Sequence, residues 1–254
     1  MKFLMKKTAP WALPIFLLLT WQLFAIMELI SSRVLPAPTE IIAAGINLIS
    51  NGAIFEHIWI SSQRAFLGLL IGGSIGFIFG VLNGVSKLSE TVFDSSIQMI
   101  RNVPHLALIP LVILWFGIGE EGKVFLIALG VLFPIYLNTF HGIRSVDREL
   151  IEMGKSYGLS KRQLFFQIIL PGALPSVLVG LRYGLGIMWV TLIVAETISA
   201  NAGIGYLAMD AREFMQLDIV VLSIILYALL GKLSDWMAKV LEYRFLKWNP
   251  NYQK

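Results

Sequence analysis

The sequence has no cysteine, few charged residues and little histidine. The absence of cysteine excludes disulfide bonds and every site built on a thiolate, whether catalytic or metal-binding. The three histidines, His57, His105 and His141, are far apart in the chain, which argues against a histidine metal site. Charged residues make up 14% of the 254 residues and hydrophobic residues 57%, whereas a soluble domain has about 25% charged residues. A water-soluble core of this size cannot bury such an excess of apolar side chains.

The apolar residues occur in long blocks, and a helix made from such a block can cross the ~30 Å hydrocarbon core of a membrane. The sequence therefore predicts an all-α membrane protein with about six transmembrane helices. We expect the spans at Pro10 to Ile30, Ala65 to Val85, Ser96 to Phe116, Val124 to His141, Ser176 to Ser199 and Leu217 to Lys239. Pro104 and Pro110 interrupt the third span, which is expected to be kinked or broken and to extend back past Arg101.

The distribution of lysine and arginine predicts the orientation of the spans, because cytoplasmic loops retain positive charge. If the N-terminus is cytoplasmic, only Arg33, Arg64, Lys123 and Arg212 of the 20 basic residues fall on the outer side. Both termini are therefore expected in the cytoplasm, with residues 1–9 and 249–254 as tails and residues 10–248 as the transmembrane domain. This topology accounts for the net charge of +4, since the basic residues form no single patch that would bind nucleic acid.

The first apolar block could be a signal peptide, because lysines precede it. It is longer than the apolar part of a signal peptide, about 7–15 residues, and no small-x-small cleavage site follows it. We expect a retained helix. Residues 36–64 then lie outside, and their helical apolar spacing, which includes Ile41, Ile42 and Ile46, predicts a segment resting at the membrane interface.

The second span has a glycine at every fourth position, at Gly68, Gly72, Gly76, Gly80 and Gly84. A spacing of four places these residues near one face of the helix, where the backbone of a neighbouring helix can approach closely. The stripe therefore predicts tight helix packing in a bundle, in preference to a ligand site.

Residues 117–123 match both G-x-G-x-x-G and G-x-x-x-x-G-K, which occur in nucleotide-binding proteins. The match fails in its chemistry, because Val124 stands where a hydroxyl should bind magnesium, and Glu120 and Glu121 would face the phosphates. We expect these glycines to turn a short external loop. No nucleophile, base and orienting group share a helical face, so no catalytic residue is predicted.

Residues 142–175 form the longest polar stretch expected in the cytoplasm. Charged residues alternate there with apolar ones, which predicts a short amphipathic helix broken at Gly158 and a second helical stretch that ends at Leu170 and Pro171. Such a segment is either a solvated loop or an element that a partner binds.

This loop resembles a motif of bacterial ABC importer permeases: EAA, three residues, Gly, nine residues, Ile, one residue, Leu-Pro. The residues that match at every spacing are Glu152, Gly158, Ile168, Leu170 and Pro171, whereas Met153 and Gly154 replace the two alanines. The resemblance implies a type I ABC importer permease fold. It also implies that the loop is a coupling helix held by a cytoplasmic ATPase, with Glu152, Gly158 and the nearby Tyr157 at the contact.

Nearly the whole chain is similar to permeases of the aliphatic sulfonate importers, most clearly at residues 96–110 and 195–201. The resemblance implies a multi-pass protein of the bacterial inner membrane that forms a homodimer with two ABC ATPase subunits and an extracytoplasmic binding protein. This chain would carry no cofactor and no enzyme activity, because ATP and magnesium would bind to the ATPase. Related permeases for taurine, nitrate or pyrimidine precursors remain an alternative, as does, in another class, a membrane-embedded enzyme or nucleotide-binding protein.

The substrate path is expected beside Pro104, since Arg101, Asn102 and His105 offer hydrogen-bond donors to an anion among apolar walls. Alternatively, Arg101 reaches the inner interface and His105 caps a broken helix. Glu196, inside the fifth span, is expected to pair with Arg64 or Arg212 as an outer gate, or to lie in water at the interface.

Overall fold

The computed structural model describes the backbone of residues 2–249 and the side chains of residues 12–198 and 200–249. Over the described residues the chain is all-α and has no β-strand. Its helices are α1 (Lys2–Ile26), α2 (Pro38–Ser50), α3 (Ala53–Val85), α4 (Lys87–Arg101), α5 (His105–Phe116), α6 (Glu120–Arg144), α7 (Arg148–Ser156), α8 (Lys161–Ile198), α9 (Ile204–Glu213) and α10 (Leu217–Phe245).

Four of these helices, α3, α6, α8 and α10, are each long and apolar enough to cross a membrane. The pair α4 and α5 provides a fifth crossing if the two helices count as one span. Within α1, the part with described side chains contributes a shorter apolar helix, Ala12–Ile26.

The chain bends by 79° between α4 and α5. Helix α4 ends at Arg101, and a 3-10 turn, His105–Leu108, begins after Pro104. Pro104 cannot donate a backbone hydrogen bond, and it disfavours helical geometry at the residue before it. The predicted break in the third span is therefore confirmed.

Helices α3 and α6 pack along the predicted glycine stripe. A Cβ atom added at Gly72 would lie 2.0 Å from the carbonyl oxygen of Ala128, and one at Gly76 would lie 2.4 Å from that of Leu132. No side chain fits at such distances, so these glycines allow the two backbones into direct contact. The packing role predicted for the stripe is confirmed.

Helix α3 begins at Ala53, whereas the predicted second span begins at Ala65. The predicted span is the apolar part of this helix, and the helix extends beyond it through the polar residues Ser61 and Arg64. Both are buried and bind partners on other helices, so the helix continues through them without leaving a polar group unpaired.

The helical stretch after Gly158 does not end at Leu170 and Pro171, contrary to the prediction. It continues as α8 to Ile198, after a π-helical turn at Phe165–Ile169. A π turn is a common way for a helix to absorb a local irregularity, and this one directly precedes Pro171, which has no backbone N–H. The second helical stretch, from Lys161, and the fifth predicted span are therefore one continuous helix.

Candidate functional site

Helix α7 is a short amphipathic helix with a defined beginning and end. The carboxylate of Asp147 accepts a hydrogen bond from the backbone N–H of Glu149, 2.9 Å away, and caps the N-terminus. The helix ends at Ser156, and Gly158, just beyond it, has a φ of +78°, in the left-handed region that favours glycine. The predicted break at Gly158 is confirmed.

One face of α7 presents apolar side chains to the surroundings. Leu150, Met153 and Tyr157 are spaced to lie along one side of the helix, and all three are exposed, Tyr157 to 81%. Glu152 is also exposed, on another side of the helix. An exposed apolar stripe of this kind on a charged helix is typical of a protein-binding surface.

An adjacent side of α7 packs on the beginning of α8. Gly154 is buried there, and a Cβ atom added to it would lie 2.5 Å from the Cδ1 atom of Ile168 and 3.0 Å from Leu164. Gly154 occupies the second alanine position of the permease motif, and Ile168 is a motif residue. In this chain the end of the Ile168 side chain fills the space that an alanine methyl group would take. Leu170 and Pro171 follow, half-buried, in α8.

A cavity of about 750 Å³ lies between α5, α8 and α10. Its polar lining comprises His105, Thr191, Tyr183, Arg182 and Asp235. The Nε2 atom of His105 lies 3.1 Å from the hydroxyl oxygen of Thr191. Of the three path residues predicted beside Pro104, only His105 lines this cavity, whereas Arg101 and Asn102 are exposed elsewhere.

Arg182 is the arginine in the lining and carries a permanent positive charge. It was not predicted from the sequence as a site residue. Its Nε atom donates to the carboxylate of Asp235 at 2.7 Å. The sequence analysis used Arg182 only to orient the spans, because no sequence pattern indicates that it pairs with a residue of the last span. A sequence signal was available: an arginine inside an apolar block is a functional hypothesis by default.

At the other end of α8, Glu196 is 1% exposed and is surrounded by donors. Its carboxylate accepts hydrogen bonds at 2.7–2.9 Å from Ser61, Arg64, Tyr227 and the backbone N–H of Gly205. These donors come from α3, α9 and α10. We call the clasp the set formed by Glu196, these four donor residues and Glu120.

Arg64 joins the two carboxylates of the clasp. It donates from Nε and NH2 to Glu120, at the start of α6, and from NH1 to Glu196. Lys123, which is 3% exposed, also donates to Glu120, at 3.0 Å. The structure therefore pairs Glu196 with Arg64 and leaves Arg212 exposed. The pairing removes the alternative in which Glu196 lies in water, while its gating role stays a prediction.

Two glycines let the loop after α8 lie against the clasp. A Cβ atom added at Gly203 would lie 2.4 Å from the Oε1 atom of Glu196, and one at Gly205 would lie 2.5 Å from its Cβ atom. Gly203 also has a φ of +118°. Neither position accepts a side chain without moving the clasp.

Residues 68–247 match the family model described as the binding-protein-dependent transport system inner membrane component. The chain belongs to this family. The matched region contains α7, the cavity and most of the clasp. Within it, Gly117 and Gly119 lie in the connection between α5 and α6, as predicted, whereas Gly122 lies inside α6, contrary to the prediction that it turns the loop.

Two relatives carry the name aliphatic sulfonates transport permease protein SsuC. The protein from Escherichia coli (strain K12) is 58% identical over 97% of this chain and 94% of its own length. The protein from Bacillus subtilis (strain 168) is 45% identical over 95% of this chain and 87% of its own length.

The fold is also similar to a solved structure of an amino acid ABC transporter with histidines. The two chains share 18% sequence identity and a TM-score of 0.65, over 78% of this chain and 96% of the other. At this identity the likeness concerns the fold, which is that of an ABC importer permease.

Proposed function

We propose that this chain is the membrane-spanning permease subunit of an ATP-driven importer that provides the translocation path for aliphatic sulfonates. The observation that carries the proposal is the exposed apolar stripe on α7. Helix α7 packs on the beginning of α8, and α8 runs from there past the cavity to the clasp. The family match and the names of the two relatives support the transport role and the cargo.

The proposed topology has six spans with both termini in the cytoplasm of a bacterium, and the chain lies in the inner membrane. Four long helices and the broken pair account for five of these crossings. We assign the sixth to α1, which contains the shorter apolar helix Ala12–Ile26. This topology places α7 in the cytoplasm and the clasp on the outer side. It also places Lys155, Lys161 and Arg162 in the cytoplasm, as the positive-inside rule favours.

The proposed assembly contains two copies of this chain, two cytoplasmic ABC ATPase subunits and an extracytoplasmic binding protein. ATP and magnesium bind to the ATPase, and this chain takes part in no reaction of its own. The motif residues support the ATPase contact: Glu152 and Tyr157 are exposed on α7, Gly158 turns the chain at its end, and Ile168 anchors the helix on α8.

The geometry suggests how the ATPase moves the permease. A groove that holds Leu150, Met153 and Tyr157 pulls on α7 when the ATPase closes. Helix α7 is packed on Ile168 and Leu164 of α8, so its displacement passes to α8, and α8 forms one wall of the cavity. A rigid helix that ends in a partner's groove transmits movement in this way.

The test is uptake of labelled ethanesulfonate into proteoliposomes that contain the permease, its ATPase and its binding protein, with taurine and nitrate as competitors. ATP-dependent uptake that resists nitrate supports the sulfonate importer. Absence of uptake, with ATP hydrolysis that still responds to the loaded binding protein, retains the importer and rejects the cargo. Absence of both responses rejects the importer.

Two variants test the coupling role in the same vesicles. Glu152→Lys and Gly158→Pro should leave the spans inserted and abolish ATP-driven uptake, because the first reverses a charge at the contact and the second removes the left-handed turn. Wild-type uptake by both variants contradicts the coupling assignment.

A further inference from the structure

The cavity between α5, α8 and α10 contains an arginine with unused hydrogen-bonding capacity. The guanidinium of Arg182 binds Asp235 through Nε and NH2, at 2.7 and 2.6 Å. Its NH1 atom lies 3.8 Å from Glu242, beyond the range of a hydrogen bond. Because a guanidinium has five N–H donors in a fixed fork, Arg182 can hold Asp235 and still donate to a second acceptor.

The charges around Arg182 favour an anion as that acceptor. Asp235 is already bound by Lys239 at 3.0 Å and approached by Lys232 at 3.7 Å, in addition to Arg182. Three cations, with Arg182 among them, thus face two carboxylates, those of Asp235 and Glu242. The surplus positive charge offsets the repulsion that Asp235 alone would exert on a bound anion.

The rest of the lining suits an apolar group attached to the anion. The cavity wall on α8 runs from Arg182 through Gly186, Ile187 and Val190 to Thr191, at a spacing that keeps them on one side of the helix. This wall is about 13 Å long, at ~1.5 Å per residue. Its middle is apolar, and the His105–Thr191 pair closes the far end.

Two glycines keep the cavity open. A Cβ atom added at Gly186 or at Gly231 would meet no heavy atom within 4 Å, in contrast to the packed glycines of α3. Both line the cavity. A larger side chain at either position therefore fills the cavity without disturbing the helix packing.

We propose that this cavity is a transient binding site for the transported anion, with the sulfonate group on Arg182 and the alkyl chain along Gly186 and Val190 toward Thr191. This inference rests on the proposed function and adds the position and orientation of the cargo. A sulfonate is singly charged and has three acceptor oxygens. Because Asp235 neutralises part of the charge of Arg182, the arginine binds the sulfonate weakly enough for it to be released.

The steric test is a size series at Gly186. Gly186→Ala and Gly186→Leu are compared with wild type for ATP-dependent uptake of labelled methanesulfonate, butanesulfonate and octanesulfonate in the reconstituted transporter. The Leu side chain should leave methanesulfonate uptake near the wild-type rate and lower octanesulfonate uptake about tenfold, with Ala intermediate. An equal effect of Gly186→Leu on all three sulfonates, or no effect, overturns the proposed orientation of the chain.

The electrostatic test separates anion binding from a structural ion pair. Arg182→Gln should lower uptake of all three sulfonates about tenfold or more, because a charge-assisted hydrogen bond to the anion is lost, and Arg182→Lys should retain part of the activity. The double variant Arg182→Gln/Asp235→Asn removes both charges of the pair. It should remain defective if Arg182 binds the cargo. Restored uptake in the double variant overturns the role of Arg182.

The two proposals fail in different ways. If wild type transports no sulfonate, the proposed function fails and this inference fails with it. If wild type transports sulfonates and the Gly186 and Arg182 variants match it at every chain length, only the cavity site is rejected.

Discussion

The two ends of α8 differ in how their neighbouring side chains are buried. At one end, the carboxylate of Glu196 is 1% exposed and accepts hydrogen bonds from four other residues. At the other end, the buried Gly154 of α7 packs on α8, and Tyr157 is 81% exposed. The same helix thus begins beside an open apolar surface and ends in a closed polar cluster.

This difference indicates which end moves. The clasp satisfies its donors and acceptors within the chain, and breaking it would leave buried charges unpaired, so it fixes one end of the bundle. The apolar stripe of α7 gains stability only when a partner covers it. In the proposed mechanism, a movement that enters at α7 turns α8 about the clasp, and the cavity lies between the two.

The clasp should dominate the stability of the protein. Arg64→Met removes the cation that Glu196 and Glu120 share, and breaking the buried Arg64–Glu196 pair costs about 3–5 kcal/mol. The free energy of unfolding in detergent measures the change. Arg212→Met is the matched control, because Arg212 is exposed, and it should change stability by less than about 0.5 kcal/mol. Equal effects of the two variants would show that the clasp is not a stabilising element.

Alanine at a left-handed glycine compares the two ends directly. Gly203→Ala and Gly158→Ala both strain a backbone with positive φ, at about 1–3 kcal/mol each. Only Gly203→Ala also adds a methyl group within 2.4 Å of Glu196, whereas nothing lies within 4 Å at Gly158. Thermal unfolding should rank Gly203→Ala as clearly more destabilising. The reverse order would contradict the closed packing of the clasp loop.

A smaller effect is expected where α7 meets α8. Gly154→Ala restores the alanine of the permease motif, and it should cost about 1 kcal/mol because the new methyl group overlaps Ile168. Ile168→Val removes the Cδ1 atom in contact, so the double variant should recover stability relative to Gly154→Ala. If the stability losses of Gly154→Ala and Ile168→Val simply add in a double-mutant cycle, the two side chains do not compete for the same space.

Tyr157→Ala should have the smallest effect on stability, less than about 0.5 kcal/mol, because the side chain is exposed. It should nevertheless reduce stimulation of ATP hydrolysis by the loaded binding protein, since the stripe loses its largest apolar group. Tyr243→Ala, which truncates an exposed tyrosine near the end of α10, is the control and should retain stimulation. Equal stimulation in both variants argues against Tyr157 as a contact.

Local patterns allowed correct prediction of the local features. The glycine spacing in α3 predicts its packing face, because a period of four defines one side of a helix. Pro104 predicts the break between α4 and α5, and Gly158 predicts the end of α7, because both act through their own backbone geometry. None of these features requires knowledge of a distant residue.

Pairings between distant residues could not be predicted in the same way. The sequence offered both Arg64 and Arg212 as partners of Glu196, and only the approach of α3 to α8 selects Arg64. A buried arginine with two carboxylate partners has the same sequence signature as one in water, so the pairing of Arg64 with Glu120 was not predicted. Arg182 was missed as a site residue because its partner, Asp235, lies on another helix.

Hydrogen exchange of the permease with and without its ATPase subunit tests the contrast between the two ends most directly. We predict that the backbone amides of Arg148–Ser156 exchange quickly in the permease alone and are protected when the ATPase binds, while those of Gly203 and Gly205 are protected in both states. Unchanged exchange in α7 on ATPase binding, or fast exchange at Gly203 and Gly205 in the permease alone, would contradict a mobile coupling end and a fixed clasp.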